Sequence, residues 1–443
     1  MNGSPRFTII GAGLGGTLLA CYLGKAGYPV DLYEKRPDPR IHGAEGGRSI
    51  NLALSVRGIE ALREVGLADE VLKNAIPMRG RMIHAPDGHL SFQPYGKDPT
   101  QAIHSVSRAG LNLTLVNAAA QSPDVRLFFQ HKCIGIDPAK PTLEMANETS
   151  DGSFHIPFDI AIAADGAFSA IRAHMQKQEG FNYQQTYESH GYKELTIPAG
   201  PDGFHYLEKN ALHIWPRQSF MMIALPNLDG SFTVTLFWPF QGPNSFAAVR
   251  TEADLLQFFQ KQFPDALPLM PNLAEEYFHH PTGSLVTIRC SPWHMQGKVL
   301  LVGDAAHAVV PFLGQGMNAA FEDCRVLDRC LVRSAPDWES AFVQYEHERK
   351  KHVDALAEMC IDNFLEMRDK VGSRLFRFRK KIQILLHTWF PRWYVPLYSL
   401  ITFSMVPYAS AGRRARIQDW VIRGIAGGIL LLLMVLARLF IFA

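Results

Sequence analysis

The chain has 443 residues, 44 Lys+Arg against 42 Asp+Glu, and is 47% hydrophobic and 19% charged. That apolar share with a net charge of +2 excludes intrinsic disorder, and the balanced, mixed charges argue against a nucleic-acid binder. The 35 Gly, 28 Pro and 6 Cys are ordinary for this length, which excludes collagen-like and disulfide-stapled classes and leaves two or three domains.

In chain order, Phe7–Ile10 reads as a buried strand, residues 17–27 as the helix after a glycine turn, and Val30–Tyr33 as a second strand. Strand, glycine turn, helix and strand make a βαβ unit. The first apolar run is too short for a secretory signal. Residues 59–67 and 111–121 read as helices, and 125–130 and 160–164 as strands. The middle is β-rich at 211–215, 219–225 and 232–240, and the turn at Asp229-Gly230 marks a hairpin between the last two. Another short strand follows at 299–302, and from Trp338 onward the pattern is helical, with an amphipathic stretch at 340–370 and a basic one at 374–381.

The expected fold class is α/β: a Rossmann-type domain, an inserted antiparallel β-sheet substrate domain, and a C-terminal helical region ending in a membrane helix. The expected spans are 1–180 and 291–345 for the two parts of the first domain and 181–290 for the insertion. Residues 346–412 form the helical region, and 413–443 a basic flank and anchor.

That anchor is read from residues 424–443, where Arg438 is the single charge. Twenty helical residues rise about 30 Å, one hydrocarbon core. Arg413, Arg414, Arg416 and Arg423 precede it, opposed by Asp419, and would keep the bulk of the protein on the cytoplasmic side. A terminal helix buried against the domain is the alternative. The cysteines (Cys21, Cys133, Cys290, Cys324, Cys330 and Cys360) form no C-x-x-C pair, so buried thiols in a reducing compartment, and no metal site, are expected.

Three segments carry chemistry. Gly11-x-Gly13-x-x-Gly16, with Gly15 inside it, follows a strand and opens a helix, so bare backbone and a helix N-terminus can meet a pyrophosphate. Glu34 ends the second strand, where a carboxylate can bind a ribose hydroxyl. This combination points to a dinucleotide without separating NAD from FAD. The second segment, Ala164-Asp165-Gly166 through Ala170 to Arg172, and the third, Gly303-Asp304-Ala305-Ala306-His307, each follow a strand. Asp304 could accept from a ribityl hydroxyl. The run from Pro311 to Gly316, Met317 and Asn318 opens a helix whose N–H groups could face a flavin's anionic edge.

With these three segments in this order, the chain resembles the single-component FAD-dependent aromatic hydroxylases of the p-hydroxybenzoate hydroxylase type, over about residues 6–345. The runs Gly47-Arg48-Ser49-Ile50-Asn51, Ile76-Pro77-Met78-Arg79-Gly80-Arg81, 303–323 and Asp362-Asn363-Phe364-Leu365-Glu366-Met367 narrow the resemblance to the branch that hydroxylates L-kynurenine. The resemblance implies bound FAD, transient NADPH, O₂ as co-substrate and oxygen transfer from a flavin C4a-hydroperoxide to ring position 3. It places the substrate carboxylate on Arg81 and Tyr95, and the amino-acid end on Asn363 and Tyr398. Glu366 and Met367 line the pocket, Glu366 as a candidate coupling residue, and Phe237, Phe240, Pro311 and Phe312 wall the ring. No general acid or base is implied. FAD contacts map to Gly11, Gly13, Gly15, Gly16, Tyr33, Glu34, Lys35, Arg36, Ala53, Arg108, Cys133, Asp165, Ala170, Asp304, Gly316, Met317 and Asn318. Leu313 departs from the family, whose members often carry an aromatic or histidine there. By residue chemistry alone, Arg81 also reads as a surface charge and Asn363 as part of a solvated helix face. Two other functions stay open: another flavin aromatic hydroxylase, and a membrane-anchored redox flavoprotein acting on a protein partner.

Overall fold

A computed structural model describes residues 4–43, 51–96, 101–147, 152–369, 382, 385–391 and 393–442, without the side chains of 147, 365–369 and most of 426–442. The run 47–50, the basic stretch 374–381 and the side chains of Glu366 and Met367 therefore lie outside the described residues.

The first domain is built on a six-stranded sheet in the order His294–Met295, Val299–Leu301, Ile160–Ala163, Phe7–Ile10, Val30–Tyr33, Val125–Phe128. The five strands after His294–Met295 run parallel. Phe7–Ile10, Val30–Tyr33 and Ile160–Ala163 are buried at every position, as strands covered on both faces must be, and the one charge among them, Asp31, is paired with Arg6 and Arg126. Helices Leu14–Lys25, Arg108–Gln121 and Gly316–Ser334 pack around this sheet and one another. Two three-stranded sheets flank it, and one of them joins Asn51–Leu54, Ile103–Ser107 and Ile76–Met78.

The second sheet has seven strands, in the order Gly283–Ser291, Asn182–Ile197, Phe232–Pro239, Phe220–Pro226, Ala211–Arg217, Gly80–His84, Leu90–Pro94. Its last two strands come from within the span 1–180 that the sequence reading gives to the first domain. Gly80–His84 joins the sheet by parallel pairing with Ala211–Arg217, Arg81 opposite Leu212. Strand alternation then sorts the side chains. Met222, Ala224, Val234, Leu236 and Trp238 face a core with Phe259 and Phe263. Met221 and Phe237 face the other way, against Val310, Leu313, Leu356, Ile401 and Tyr408.

That second face is covered by the 32-residue helix Trp338–Asp369, the short helix Leu397–Thr402 and the start of the helix Tyr408–Phe442. The last helix contains the apolar run expected to span a membrane. Among the described residues, no helix is long and apolar enough to cross one.

Candidate active site

The glycine turn is shaped by close backbone approach. A Cβ on Gly11, whose φ is +104°, would lie 2.5 Å from the Ala164 carbonyl oxygen, and one on Gly16 would lie 2.0 Å from that of Gly11. A Cβ on Gly13 would meet nothing within 4 Å. Gly13 caps the helix Leu14–Lys25 without a side-chain cap or an acidic residue in the first turn. There is thus open space beside an uncapped helix N-terminus, the environment a pyrophosphate needs. Gly15 borders Ala320 of the helix Gly316–Ser334.

Glu34 locks this turn to the second strand. Its Oε2 accepts from Ala12 N at 2.8 Å, and its Oε1 accepts from Arg36 N at 3.0 Å and Arg36 Nε at 2.8 Å. Burial alone would raise the carboxyl, but the Arg36 ion pair and these N–H bonds hold it below the usual range. Tyr33 is buried, stacked on Phe128 at 4.6 Å, whereas Lys35 and Arg36 are exposed beside it. Asn112, absent from the residues expected from sequence, holds the loop from the other side, its Nδ2 donating to Ala12 O at 3.0 Å. Nothing in the sequence sets it apart from Thr114 and Asn117 on the same helix.

Asp165 Oδ2 accepts from Ala170 N at 2.8 Å, while Oδ1 is buried without a partner. Burial raises this carboxyl, and burial together with the nearby Asp165 pushes the Cys133 thiol up to about 12, so Cys133 stays a neutral thiol. Asp304 follows Gly303, whose φ is +61°. It is open to solvent yet walled by protein, as a side chain facing a cleft is, and that crowding raises its carboxyl despite His307 and Arg108 nearby.

The helix Gly316–Ser334 begins beside it. Asn318 Oδ1 accepts from Ser55 N at 2.9 Å, and its Nδ2 donates to Ala53 O at 2.9 Å and Gly314 O at 3.0 Å. Asn318 thereby fixes the helix N-terminus against the strand Asn51–Leu54, and Met317 packs on the main core. Behind the helix, Asp323 Oδ2 lies 3.1 Å from Gly303 N and 2.6 Å from His307 Nε2, while Oδ1 accepts from Arg349 Nε at 2.6 Å. Burial opposes this charge, but His307 and Arg349 outweigh it and hold Asp323 below the usual range. Removing one partner of such a buried pair costs about 3–5 kcal/mol.

Ala53 also touches the second subsite, packing with Tyr95, Met78, Leu225 and Tyr398. There the Tyr95 and Tyr398 rings stack at 5.4 Å, and the Arg81 guanidinium carbon lies 4.2 Å from the Tyr398 ring centre and 5.7 Å from that of Tyr95. Arg81 Nε and Tyr95 Oη are buried without close hydrogen-bond partners, though Arg81, Tyr95 and Tyr398 lie near enough to interact with one another. Burial holds the Tyr95 phenol well above its usual value, so it is a neutral donor. A cation and a phenol with unused donors suit a carboxylate. Asn363 Nδ2 donates to Phe312 O at 2.9 Å, and Phe312, next to Pro311, stacks on Phe364 at 4.2 Å and meets Phe237 at 5.2 Å. Asn363 and Tyr398 border one 360 Å³ cavity between the late helices.

Phe240 departs from the expected wall. One residue past the strand Phe232–Pro239, it packs against Phe246 at a centroid distance of 6.2 Å and over Gly191, the partner of Trp238 in the sheet. The wall position belongs to Phe237.

A parallel sheet with an open glycine turn, an antiparallel sheet beside it, and aromatic rings gathered around a buried Arg–Tyr pair are the fold of a flavin-dependent aromatic hydroxylase. Residues 6–359 match the family model described as an FAD binding domain. A solved 2-methyl-3-hydroxypyridine-5-carboxylic acid oxygenase superposes with a TM-score of 0.68 at 21% identity, covering 84% of this chain and 94% of that one. The kynurenine 3-monooxygenase of Myxococcus xanthus is 50% identical over 422 residues, 95% of this chain and 91% of that protein. That of Dictyostelium discoideum is 49% identical over 416 residues, 91% of this chain and 89% of that protein. The chain belongs to the kynurenine 3-monooxygenase family.

Proposed function

We propose that this chain hydroxylates L-kynurenine at ring position 3 to give 3-hydroxykynurenine, with FAD bound and NADPH and O₂ consumed. The observation that carries the reading is the pair of buried donors without close partners, Arg81 Nε and Tyr95 Oη, beside the Tyr398 ring and the aromatic cluster around Phe237 and Phe312. Its support comes from the names of the relatives at 50% and 49% identity.

Bound FAD supplies the hydride acceptor and the oxygen-transfer chemistry. Gly11, Gly13, Gly16 and Glu34 would hold its nucleotide end, and Asp304 with the N–H groups at 316–318 its isoalloxazine side. The rest of the work is positioning. Arg81 and Tyr95 take the carboxylate, and Asn363 and Tyr398 orient the amino-acid end. Phe237 and Phe312 press the ring into a slot that excludes water. The substrate's own aromatic amine enriches the adjacent carbon, so no protein base is assigned.

The test is purified holoprotein with NADPH and L-kynurenine, read by product mass. A product 16 mass units heavier than kynurenine supports the reading, and NADPH oxidation that yields only peroxide sinks it.

We further propose a membrane anchor at residues 424–443, with the catalytic domain facing the cytosol. In a eukaryote the membrane would be the outer mitochondrial one, and in a bacterium the cytoplasmic one. Support comes from exposed aromatics before the run, Trp389 at 69% and Trp420 at 73%, beside exposed Arg413, Arg416 and Arg423. Tryptophan with arginine is the composition of a bilayer interface.

A further inference from the structure

The clamp residue Tyr398 stands on a six-residue helix, Leu397–Thr402, whose own hydrogen bonds cannot fix it. One side chain far away in sequence grips the chain just beyond it. Arg57 is fully buried. Its Nε donates to Ile401 O at 3.3 Å and its Nη2 donates to Val406 O, so it holds both sides of the turn that leads out of the helix. Its guanidinium carbon lies 4.1 Å from the Tyr408 ring centre.

The remaining arm of Arg57 reaches the cofactor side. Nη1 donates to Glu322 Oε1 at 2.6 Å, and Glu322 Oε2 accepts from Arg349 Nη1 at 2.6 Å. Glu322 sits on the helix whose N-terminus is Gly316–Asn318, and Tyr408 Oη donates to Gln315 Oε1 at 3.1 Å just before it. Arg57 itself follows Ser55 and Val56, and Ser55 N donates to Asn318. Three donors of one fork thus span the substrate-clamp segment and the flavin-facing helix. Such a fork is pre-organised in a way a lysine cannot copy.

We propose that Arg57 is a positioning residue for Tyr398: it holds the 401–406 turn at a fixed distance from the helix 316–334, so that the Tyr398 ring closes over Arg81. It touches neither substrate nor cofactor and acts through Tyr398. The inference rests on kynurenine being the substrate.

The test is a double-mutant cycle in holoenzyme, with L-kynurenine and NADPH. Wild type is assayed first, and absence of product there overturns the functional reading. Given turnover, Arg57→Lys is expected to retain FAD and substrate-free NADPH oxidation while raising KM for kynurenine about tenfold, the scale of indirect coupling. In a Tyr398→Ala background the same substitution should change KM less than about twofold, because residues acting through one another are non-additive. An equal KM rise in both backgrounds, or an unchanged KM in the single variant, overturns the proposal. If Arg57→Lys yields no folded holoenzyme, Tyr408→Leu strips the ring from beside the guanidinium and leaves every ion pair in place, and carries the same two expectations relative to Tyr408→Phe, which loses the hydrogen bond to Gln315 alone.

Discussion

Arg81 lies over the face of Tyr398, its guanidinium carbon 4.2 Å from the ring centre, although the two residues arise from opposite ends of the chain. Arg81 is fixed by a strand paired on both sides, to Leu212 and to Gln93. Tyr398 arrives from the C-terminal helical region. On the proposed reading, the substrate's polar end would be held between a paired strand and a separately anchored helix.

The first prediction concerns Arg81. Arg81→Ala removes the cation and leaves the carboxylate facing two phenols, at a cost of about 2–4 kcal/mol, or a KM rise of about 30- to 1,000-fold. FAD content should be largely retained, because Arg81 stands on the substrate sheet and not on the glycine turn or the helix 316–334. Steady-state kinetics with flavin absorbance decide it, and an unaltered KM would discard the clamp.

The glycine turn separates two kinds of damage. Gly13→Val places its side chain in open space and should give a folded protein that has lost most of its FAD. Gly16→Ala drives a Cβ to 2.0 Å from the Gly11 carbonyl and should cost about 1–3 kcal/mol of stability through overpacking. Thermal unfolding and flavin content, measured together, distinguish them. Equal Tm losses would contradict this.

Acid stability should carry a histidine signature. His213 accepts at Nδ1 from His84 at 2.9 Å, and its Nε2 donates to Glu208 O at 2.9 Å, with Asp265 on the far side of His84. Burial, with the His84 charge adding, brings His213 from the usual 6.5 down to about 4. Above pH 6.5 both folded and unfolded states leave it neutral. Between 6.5 and 4 only the unfolded state takes the proton, so stability falls as pH falls, by about 3 kcal/mol in all. In His213→Gln this loss should vanish from the Tm–pH profile over that window. Parallel slopes for variant and wild type would refute it.

Removing residues 424–443 should release the protein from sedimenting membranes while leaving kynurenine turnover intact. Fractionation of the full-length and shortened chains decides the matter. A full-length chain found wholly in the supernatant ends the anchor reading.

What the sequence disclosed follows its local signals. The glycine turn, Glu34 and the Asp304 helix are each contiguous motifs, and all three appear where their spacing put them. The strands Gly80–His84 and Asn182–Ile197 were not legible. The latter reads Asn-Tyr-Gln-Gln-Thr-Tyr at its start, exposed and polar, and is a strand because Gly283–Ser291 pairs along it. Arg81 was placed by resemblance alone, since its strand depends on parallel pairing with residues 130 positions away. Phe237 and Phe240 read alike in the sequence, and only the end of the strand at Pro239 separates their surroundings. The Arg57–Glu322–Arg349 cluster left no pattern at all, being assembled from three helices.

The late arrival of Tyr398 has a consequence for biosynthesis. Every position assigned to FAD lies before residue 320, and the ring that closes the substrate clamp is translated nearly eighty residues later. On the proposed reading, a ribosome would make every residue expected to meet the flavin before it makes the ring expected to complete the substrate clamp, so the order of synthesis would present a cofactor site ahead of a finished substrate pocket.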